Sequence, residues 1–269
     1  MSRSVDLYGT AYGNFAAHAL ERVRRDTYGE DFGQSSWVTS DEYRRFFRLV
    51  DLGPTDHVLD VGCGSGGPAI FLGREVGCRV TGVDFNESGI RTGLELVRQA
   101  GMQDLIDLRH ADVRELLPFC DQAFDAIVCM DVICHLFDRS SLLKEWSRVL
   151  RPGGSILYTD PVVVTGLVAK EEFATRGSTG DFAFGPPGVN EQLIGEAGFE
   201  LVRVEDVTEN EVQVSRRWHD ARQERAAELI HLEGDETFAE LQRFLATVHD
   251  LTSERRMSRF AYVGRKQVT

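Results

Sequence analysis

The sequence predicts an α/β protein built on a mostly parallel sheet with helices on both faces. From residue 57 onward, short apolar segments alternate with longer segments whose apolar residues recur at helical spacing. Strands that alternate with helices in this rhythm pair in parallel, because each helix carries the chain back across the sheet. The predicted strands are 57–61, 79–84, 106–112, 124–131, 155–160, 199–208 and 259–266.

Three segments between these strands are predicted to be helical. They are GPAIFLGREVG at 67–77, NESGIRTGLELVRQAG at 86–101 and SSLLKEWSRVL at 140–150. The third is followed by Pro152-Gly153-Gly154, a turn signal that separates it from the next strand. These helices cover the sheet and make the connections between its strands.

Two further helical regions flank this pattern. Residues 1–50 read as a mostly helical N-terminal cap, in which Thr39 and Glu42 have the spacing of a capping box. The remainder of the chain, 51–269, is predicted to be one domain with a helical insert at about 212–255. One face of the insert is apolar, which indicates either ordinary packing on the sheet or a lid over a substrate pocket.

Composition excludes several function classes. The net charge of -13 argues against a surface that coats nucleic acid or an anionic membrane. The cysteine count is odd and no C-x-x-C pair occurs, so no metal site is expected and the thiols are expected to be reduced. With no apolar signal segment and no membrane-spanning run, we expect a cytoplasmic protein.

The segment GCGSGG at 62–67 indicates a ligand-binding turn after the first strand of the sheet. It fits G-x-G-x-x-G through Gly62, Gly64 and Gly67, which is the spacing of dinucleotide-binding loops. It also fits G-x-G-x-G through Gly62, Gly64 and Gly66. The six residues alone leave the ligand open between a nicotinamide or flavin cofactor and another nucleotide.

Acidic residues stand at the ends of the predicted strands, where open parallel sheets bind their ligands. Asp84 ends the second strand, and a carboxylate there can accept hydrogen bonds from two ribose hydroxyls. That feature is shared with NAD-binding proteins. Asp60 stands two residues before the first glycine, where dinucleotide-binding folds tend to have an apolar residue. Asp112 ends the third strand, in position to reach a purine edge.

Taken in order, VLDVGCGSGG, VTGVD, HADV, FDAIVCMD and LRPGGSILYTD resemble the motifs of class I S-adenosylmethionine-dependent methyltransferases. The likeness is to the small-molecule type, such as phosphoethanolamine, sarcosine/dimethylglycine and natural-product methyltransferases. It implies a Rossmann-like sheet of seven strands with the last strand antiparallel, and S-adenosyl-L-methionine as the cofactor. The cofactor-binding residues that the resemblance and the motifs imply are Tyr28, Trp37, Thr39, Asp60, Gly62, Cys63, Gly64, Asp84, Phe85, Asp112, Val113 and Met130.

The first members of that set come from the segment YGEDFGQSSWVTSDE at 28–42. In the resembling enzymes the matching segment closes over the methionine end of the cofactor. By that resemblance Tyr28, Trp37, Val38 and Thr39 are cofactor contacts. For Trp37 and Val38 the alternative is a purely structural role in seating the helix that follows.

His135 is the predicted catalytic base, because a histidine can accept a proton near neutral pH. It follows the fourth strand, and Asp131, four residues earlier, is predicted to orient it. The alternative is structural, with Asp131 as a helix cap. The segment after the fifth strand has valines and phenylalanines, and only Arg176 there suits a phosphate.

We therefore expect an apolar metabolite as acceptor, with Phe182, Phe184 and Trp218 in the pocket wall. The methyl group goes to a hydroxyl, an amine or a carbon. The expected partners are this small molecule and a second copy of the chain in a homodimer, without nucleic acid or membrane. Alternatives are a non-catalytic binder of the cofactor, a methyltransferase acting on RNA or protein, and a nicotinamide enzyme.

Overall fold

Seven strands form one sheet in the computed structural model, which describes residues 17–268. The strands are β1 His57–Val61, β2 Arg79–Asp84, β3 Ile106–His110, β4 Phe124–Met130, β5 Leu150–Val164, β6 Phe199–Asp206 and β7 Met257–Lys266. Their order across the sheet is β3-β2-β1-β4-β5-β7-β6. The five strands from β3 to β5 pair in parallel, and β7 runs antiparallel to both of its neighbours. This confirms the predicted fold class.

Helices cover both faces of this sheet. They are α1 His18–Tyr28, α2 Ser40–Leu49, α3 Gly67–Val76, α4 Glu87–Ala100, α5 Arg139–Val149, α6 Lys170–Arg176, α7 Val189–Glu196, α8 Thr208–Gln223, α9 Ala226–Glu233 and α10 Asp235–Ser253, with a 3₁₀ turn at Ile133–His135. The helices predicted between the first strands are confirmed to within one residue at each end. No helix within residues 17–268 is long and apolar enough to cross a membrane.

The fifth strand is longer than the sequence predicts, because the Pro152-Gly153-Gly154 turn lies inside it. Leu150 pairs with Phe124, and the register then shifts before Ser155 pairs with Ala126. Gly153 has φ +79° at this irregularity, a conformation that glycine adopts without strain. The turn signal therefore marks a bulge within the strand and does not mark its beginning.

Alternate residues of the central strands enter two separate cores. Val58, on β1, lies in the core beneath α3 and α4, whereas Leu59 lies in the core beneath α5 and α7. Residues of the N-terminal segment, among them Phe46 and Phe47, belong to the first of these cores. The helix α2 is thus packed into the sheet domain, although the predicted boundary at residue 50 stays a prediction.

The predicted capping box at the start of α2 forms only in part. The Thr39 side chain accepts a hydrogen bond from the Glu42 backbone N–H at 3.4 Å. The Glu42 carboxylate does not complete the box, because it accepts instead from the buried guanidinium of Arg259 at 2.8 Å. A long-range ion pair has displaced the local hydrogen bond.

The insert before β7 is helical, as predicted, and packs mainly on the N-terminal segment. The apolar face of α10 is buried along its length, with Phe238, Leu241, Phe244, Leu245, Val248 and Leu251 all nearly inaccessible. Phe244 lies with Tyr28, Trp37 and Val214 in one cluster. Of the two roles left open, packing against a neighbouring element is observed, and opening as a lid stays a prediction.

We expect Gly67→Ala, at the first position of α3, to destabilise the fold. A Cβ at Gly67 would lie 1.9 Å from the carbonyl oxygen of Phe32, so the backbone of one segment must shift. Overpacking of this kind costs about 1–3 kcal/mol in the free energy of unfolding, which a urea titration measures.

The matched control is Gly195→Ala near the end of α7, where a Cβ would meet no atom within 4 Å. In a helix this change should be neutral or stabilising by about 0.5–1 kcal/mol. Equal unfolding free energies for the two variants would contradict the close packing of residues 32 and 67.

Candidate functional site

A cavity of about 430 Å³ opens at the carboxyl ends of β1, β2 and β4. We call it the outer cavity. Strand order reverses between β1 and β4, which is where open α/β sheets hold their ligands. Its size is within the range of small-molecule and cofactor sites. It is lined by Gly33, Ser35, Ser36, Tyr43, Asp60, Gly62, Cys63, Gly64, Ser65, Pro68, Asp84, Phe85, Asn86, Asp112, Val113, Arg114, Met130, Asp131, Val132, His135, Leu136, Thr179, Gly180 and Asp181.

The glycine loop forms the floor of the outer cavity in a backbone conformation that demands glycine. Gly62, Gly64 and Gly66 have φ values of 77°, 55° and 72°. A Cβ on Gly62 would approach Val132 to 2.4 Å. Gly67 begins α3, and its Cα packs closely against the backbone of Phe32. The structure therefore requires glycine at the positions of both patterns, G-x-G-x-x-G and G-x-G-x-G. The glycines alone do not distinguish a nicotinamide or flavin cofactor from another nucleotide.

Asp84 sits at the end of β2 with its carboxylate facing the glycine loop. One oxygen accepts the Gly64 N–H at 2.9 Å and the other accepts the Asn86 N–H at 2.8 Å. The side chain is 8% exposed, and burial raises the pKa of its carboxyl. The loop thus fixes the carboxylate at the cavity wall, where its remaining lone pairs can accept hydroxyl donors.

Asp60 places a second buried carboxylate beside the first. Within residues 17–268 its Oδ2 atom has no hydrogen-bond partner. Burial, and then the nearby Asp84, raise the pKa of Asp60 to about 7. A buried carboxylate without a donor is costly, so a cationic ligand group in this cavity would be stabilised by it.

Asp112 is less buried and already has a partner. Arg114 binds its carboxylate through Nε at 2.9 Å and Nη2 at 2.5 Å, and this pairing lowers the pKa of Asp112. Phe85 and Val113 lie nearby on the cavity lining, and Phe85 is 64% exposed at the rim. An apolar ring beside a carboxylate suits a flat heterocycle with an exocyclic amine.

The structure brings together the predicted cofactor residues from Asp60 onward, but not those before it. Tyr28, Trp37 and Thr39 do not line the outer cavity. The Tyr28 hydroxyl donates to the Ser36 carbonyl at 2.8 Å. Thr39 caps α2, and the buried Val38 is in the core.

Gly33, Ser35 and Ser36 occupy the lining positions instead. Sequence reasoning missed them because small residues in an irregular segment carry no periodic signal. The large side chains around them, which drew the prediction, face inward to support the segment.

A second and much smaller cavity of about 20 Å³ continues from the first; we call it the inner cavity. Its volume holds about one water-sized group. Ser35, Ser36, Asp131, His135 and Thr179 line both cavities. The residues that line the inner cavity alone are Trp37, Cys134, Pro161, Arg176, Phe182, Trp218 and Phe244.

Two of the three predicted pocket residues thus line this inner cavity. Phe182 and Trp218 form part of its aromatic wall. Phe184 lines neither cavity and packs behind Phe182, with ring centroids 6.0 Å apart, and against Phe173 at 5.1 Å. Its role in this structure is to support the wall.

His135 lies at the junction of the two cavities, in the 3₁₀ turn after β4. Its Nδ1 is 2.8 Å from the backbone oxygen of Asp181, which can only accept, so Nδ1 carries the proton. Its ring packs against Phe182 with centroids 4.4 Å apart. Burial lowers the pKa of His135 below its ordinary value of 6.5. The ring is therefore neutral at neutral pH, with Nε2 as its basic atom.

Asp131 makes three contacts that sequence reasoning did not predict, while its predicted role in orienting His135 stays a prediction. Its carboxylate accepts from the Trp37 N–H at 2.8 Å, the Thr159 hydroxyl at 2.6 Å and Arg259 Nε at 2.7 Å. It is also not a helix cap, since Asp138 caps α5. The hydrogen bond that fixes the His135 ring is the one to the Asp181 carbonyl. Asp131 is an anchor for the N-terminal segment.

Arg259 completes this anchor from β7. Its guanidinium is fully buried and binds both Asp131 and Glu42. Asn210 of the insert also joins the cluster, donating to the Trp37 carbonyl and to Glu42. Sequence reasoning did not identify Arg259, because a single arginine on a late strand resembles an ordinary surface residue.

Comparison with known proteins matches the central part of the chain to a family. Residues 59–158 match the family described as a methyltransferase domain. These residues form a class I S-adenosylmethionine-dependent methyltransferase domain. The predicted cofactor, S-adenosyl-L-methionine, is confirmed at the level of this domain, and so is the resemblance on which it was based.

Relatives of this methyltransferase domain differ in their named substrates. A glycine/sarcosine/dimethylglycine N-methyltransferase of Actinopolyspora halophila is 32% identical over 166 residues, covering 62% of this chain and 29% of that protein. Methyltransferase GfsG of Streptomyces halstedii is 32% identical over 171 residues, covering 61% of this chain and 60% of that protein. The chain therefore spans less than two thirds of the length of these relatives.

A solved structure matches the fold along nearly the whole chain. The crystal structure of the [4+2]-cyclase SpnF superposes with a TM-score of 0.75 at 20% identity, covering 99% of this chain and 97% of that chain. The helical N-terminal segment and the insert are thus part of a fold shared beyond the methyltransferase domain itself.

We expect Asp131→Ala to lower stability strongly. The change leaves the Arg259 charge short of one partner and removes the acceptor for the Trp37 N–H. Breaking a buried ion pair by removing one member costs about 3–5 kcal/mol in the free energy of unfolding, which urea denaturation measures.

Asp181→Ala is the matched control, because it removes an exposed carboxylate and keeps the backbone carbonyl that His135 uses. It should unfold like the wild type. If Asp131→Ala abolished turnover with unchanged unfolding free energy, Asp131 would be acting in the chemistry and the anchor role would be wrong.

Proposed function

We propose that the protein transfers the methyl group of S-adenosyl-L-methionine to a small molecule, with the cofactor in the outer cavity and His135 as general base. The observation that carries the proposal is the position of His135 at the junction of the two cavities. One cavity has the volume for the cofactor, and the other is enclosed by aromatic side chains. The methyl acceptor in the inner cavity would then contact the methyl group of the cofactor beside His135.

The outer cavity fits the chemical groups of S-adenosyl-L-methionine. Asp84 at the end of β2 would accept the ribose hydroxyls. Asp60, whose Oδ2 atom has no donor within residues 17–268, would be stabilised by the positive end of the cofactor. Asp112, Phe85 and Val113 would surround the adenine ring. Asp112 must then share its carboxylate between Arg114 and the ring amine.

The sulfonium of the cofactor supplies an activated methyl group. In the transfer the carbon–sulfur bond breaks as the acceptor atom bonds to the methyl carbon. When the acceptor is a hydroxyl or a protonated amine, its proton must leave, and Nε2 of His135 would take it. The aromatic wall excludes water and limits the orientations of the acceptor, which supplies much of the rate in such reactions.

One relative supports an amine acceptor, since it is named for methylation of glycine, sarcosine and dimethylglycine nitrogen. The other is named only as a methyltransferase. Phe182, Trp218 and Phe244 around the inner cavity favour an acceptor with an apolar body. We propose a small metabolite of this kind and leave the accepting atom open between oxygen, nitrogen and carbon.

A second candidate function follows from the similarity to the cyclase. A chain of this fold, matched over nearly its full length, is named for a [4+2] cyclisation. In such a reaction the nucleotide would be a bound structural ligand and would not be consumed. Formation of S-adenosylhomocysteine in the presence of a metabolite panel separates the two, since only methyl transfer consumes the cofactor.

The cytoplasmic location and the homodimer also stay proposals. The reduced-thiol argument from the sequence supports the first, and four of the five cysteines are buried. We also propose that the insert acts as a lid. The support for this is that Trp218 of α8 and Phe244 of α10 line the inner cavity.

We expect Asp84→Ala to weaken S-adenosyl-L-methionine binding by at least tenfold, on the order of 1.4 kcal/mol. The reason is the loss of the carboxylate that the glycine loop positions for the ribose. Isothermal calorimetry measures the affinity. Asp107→Ala, which removes an exposed carboxylate on the neighbouring β3, is the control and should bind normally. An unchanged affinity in Asp84→Ala would contradict the proposed position of the cofactor ribose beside Asp84.

We expect His135→Ala to reduce turnover by about 10²–10⁴-fold, the usual contribution of a general base, while cofactor affinity stays near that of the wild type. His18→Ala, at an exposed position on α1, should retain full activity. In the wild type, activity should fall as the pH drops and Nε2 becomes protonated. Since burial lowers the pKa of His135, the midpoint of that fall should lie below 6.5.

A different result would identify another driving force. If His135→Ala kept turnover within about twofold once an acceptor is known, alignment alone would drive the transfer. His135 would then be a structural residue held by the Asp181 carbonyl.

A further inference from the structure

Arg176 places a buried positive charge at the wall of the inner cavity. It ends α6, its side chain is 1% exposed, and it lines the inner cavity. Its guanidinium carbon lies 4.7 Å from the ring centroid of Phe182 and 5.3 Å from that of Phe244. Contact with two aromatic rings fixes the orientation of the guanidinium.

The donors of this guanidinium are only partly used. Nη2 donates to the Pro161 carbonyl at 3.5 Å and lies 3.8 Å from Glu211 Oε1. Within residues 17–268, neither Nε nor Nη1 has a hydrogen-bond acceptor. Buried donors without acceptors are rare in folded proteins and call for a specific reason.

Glu211 does not supply the missing acceptor. It is fully buried on α8, and neither of its carboxylate oxygens makes a hydrogen bond in the described part of the chain. Burial raises the pKa of Glu211 to about 8, although Arg176 and Arg259 oppose the rise. At neutral pH the side chain is therefore mostly neutral, and the charge of Arg176 is not balanced by it.

Thr179 adds a third unused polar group at the same place. Its Oγ1 atom is buried without a partner in residues 17–268, and the residue lines both cavities. The inner cavity is thus lined by the Arg176 guanidinium, which has two unused nitrogens, and by the Thr179 hydroxyl, and aromatic side chains surround both groups. His135 stands at its opening to the outer cavity.

We propose that Arg176 binds the carboxylate of the methyl acceptor in the inner cavity, with Thr179 as a second donor and the accepting atom held beside His135. This rests on the proposed methyl transfer and narrows its substrate to acids with a short apolar body. A carboxylate suits the site because one of its oxygens can pair with Nε or Nη1, and the other with the second N–H of Nη2, along one edge of the guanidinium. A phosphate is disfavoured because its remaining oxygens would face the apolar rings of Phe182 and Phe244.

The competing explanation is that Arg176 only stabilises Glu211. Their closest atoms are 3.8 Å apart and share no hydrogen bond, which is a poor geometry for a buried pair. The two explanations differ in what they predict for Glu211→Gln. Glu211→Gln should bind acetate as tightly as the wild type or more tightly if Arg176 serves a ligand. If Arg176 only stabilises Glu211, neither the wild type nor Glu211→Gln should bind acetate better than acetamide.

Acetate and acetamide are the probes that test the proposal. They have the same shape and differ in charge, and Trp37 and Trp218 line the inner cavity, so tryptophan fluorescence reports occupancy. Titrations at neutral pH are made with the protein alone and with S-adenosylhomocysteine. We expect saturable quenching by acetate and at least tenfold weaker binding of acetamide and of inorganic phosphate.

Two variants make the test specific to Arg176. Arg176→Met keeps much of the side-chain length and should weaken acetate binding by tenfold or more. Glu211→Gln retains the guanidinium and should bind acetate at least as tightly as the wild type. It therefore keeps the test decisive even where Arg176→Met fails to fold, which thermal unfolding detects.

Equal affinity for acetate and acetamide would overturn the proposal, as would a preference for phosphate or unchanged acetate binding in folded Arg176→Met. Calorimetry with S-adenosylhomocysteine examines the outer cavity separately. Acetate binding that depends on Arg176 in a protein that does not bind S-adenosylhomocysteine would contradict the methyl-transfer function and leave the anion site standing. When both bind, acceptor panels of matched acids and amides should yield S-adenosylhomocysteine only with the acids.

Discussion

One buried guanidinium holds together the parts of the chain that form the site. Arg259 on β7 binds Asp131 after β4 and Glu42 on α2, which are separated from it by 128 and 217 residues. Burial of three charged groups is expensive, and this cluster is tolerable because nearly every lone pair of Asp131 meets a donor. Through Asp131 it also fixes the backbone of Trp37. The N-terminal segment is therefore held across the carboxyl ends of the strands. Its residues Ser35, Ser36 and Trp37 form part of the wall of the inner cavity.

The same cluster explains the backbone around His135. Asp131 has φ +59°, an uncommon conformation for a residue other than glycine, and three hydrogen bonds to its carboxylate offset the strain. The chain turns sharply there and enters the 3₁₀ segment that presents His135 to both cavities. The buried contacts of Asp131 in this way determine the position of His135.

The sheet could be predicted from the sequence because its signals are local. The spacing of apolar residues, the glycine turns and the acidic strand ends each depend on residues that are close together in the chain. The strands β1 and β2 accordingly have the predicted bounds. The contacts of Tyr28, Trp37 and Thr39, and the role of Asp131, depend on partners far along the chain. A single sequence contains no pattern that connects position 131 with position 259. The sequence predicts a boundary where β5 has a bulge, because a turn signal does not reveal how the residues around it pair.

Asp60 gives the domain a further property, which concerns its supply in the cell. A buried carboxylate that lacks a donor makes the folded state less stable until a cationic group arrives, and ligand binding then adds stability by mass action. Marginally stable proteins are removed faster by cellular proteases. The fraction of this protein that escapes degradation would therefore rise with the concentration of its methyl donor.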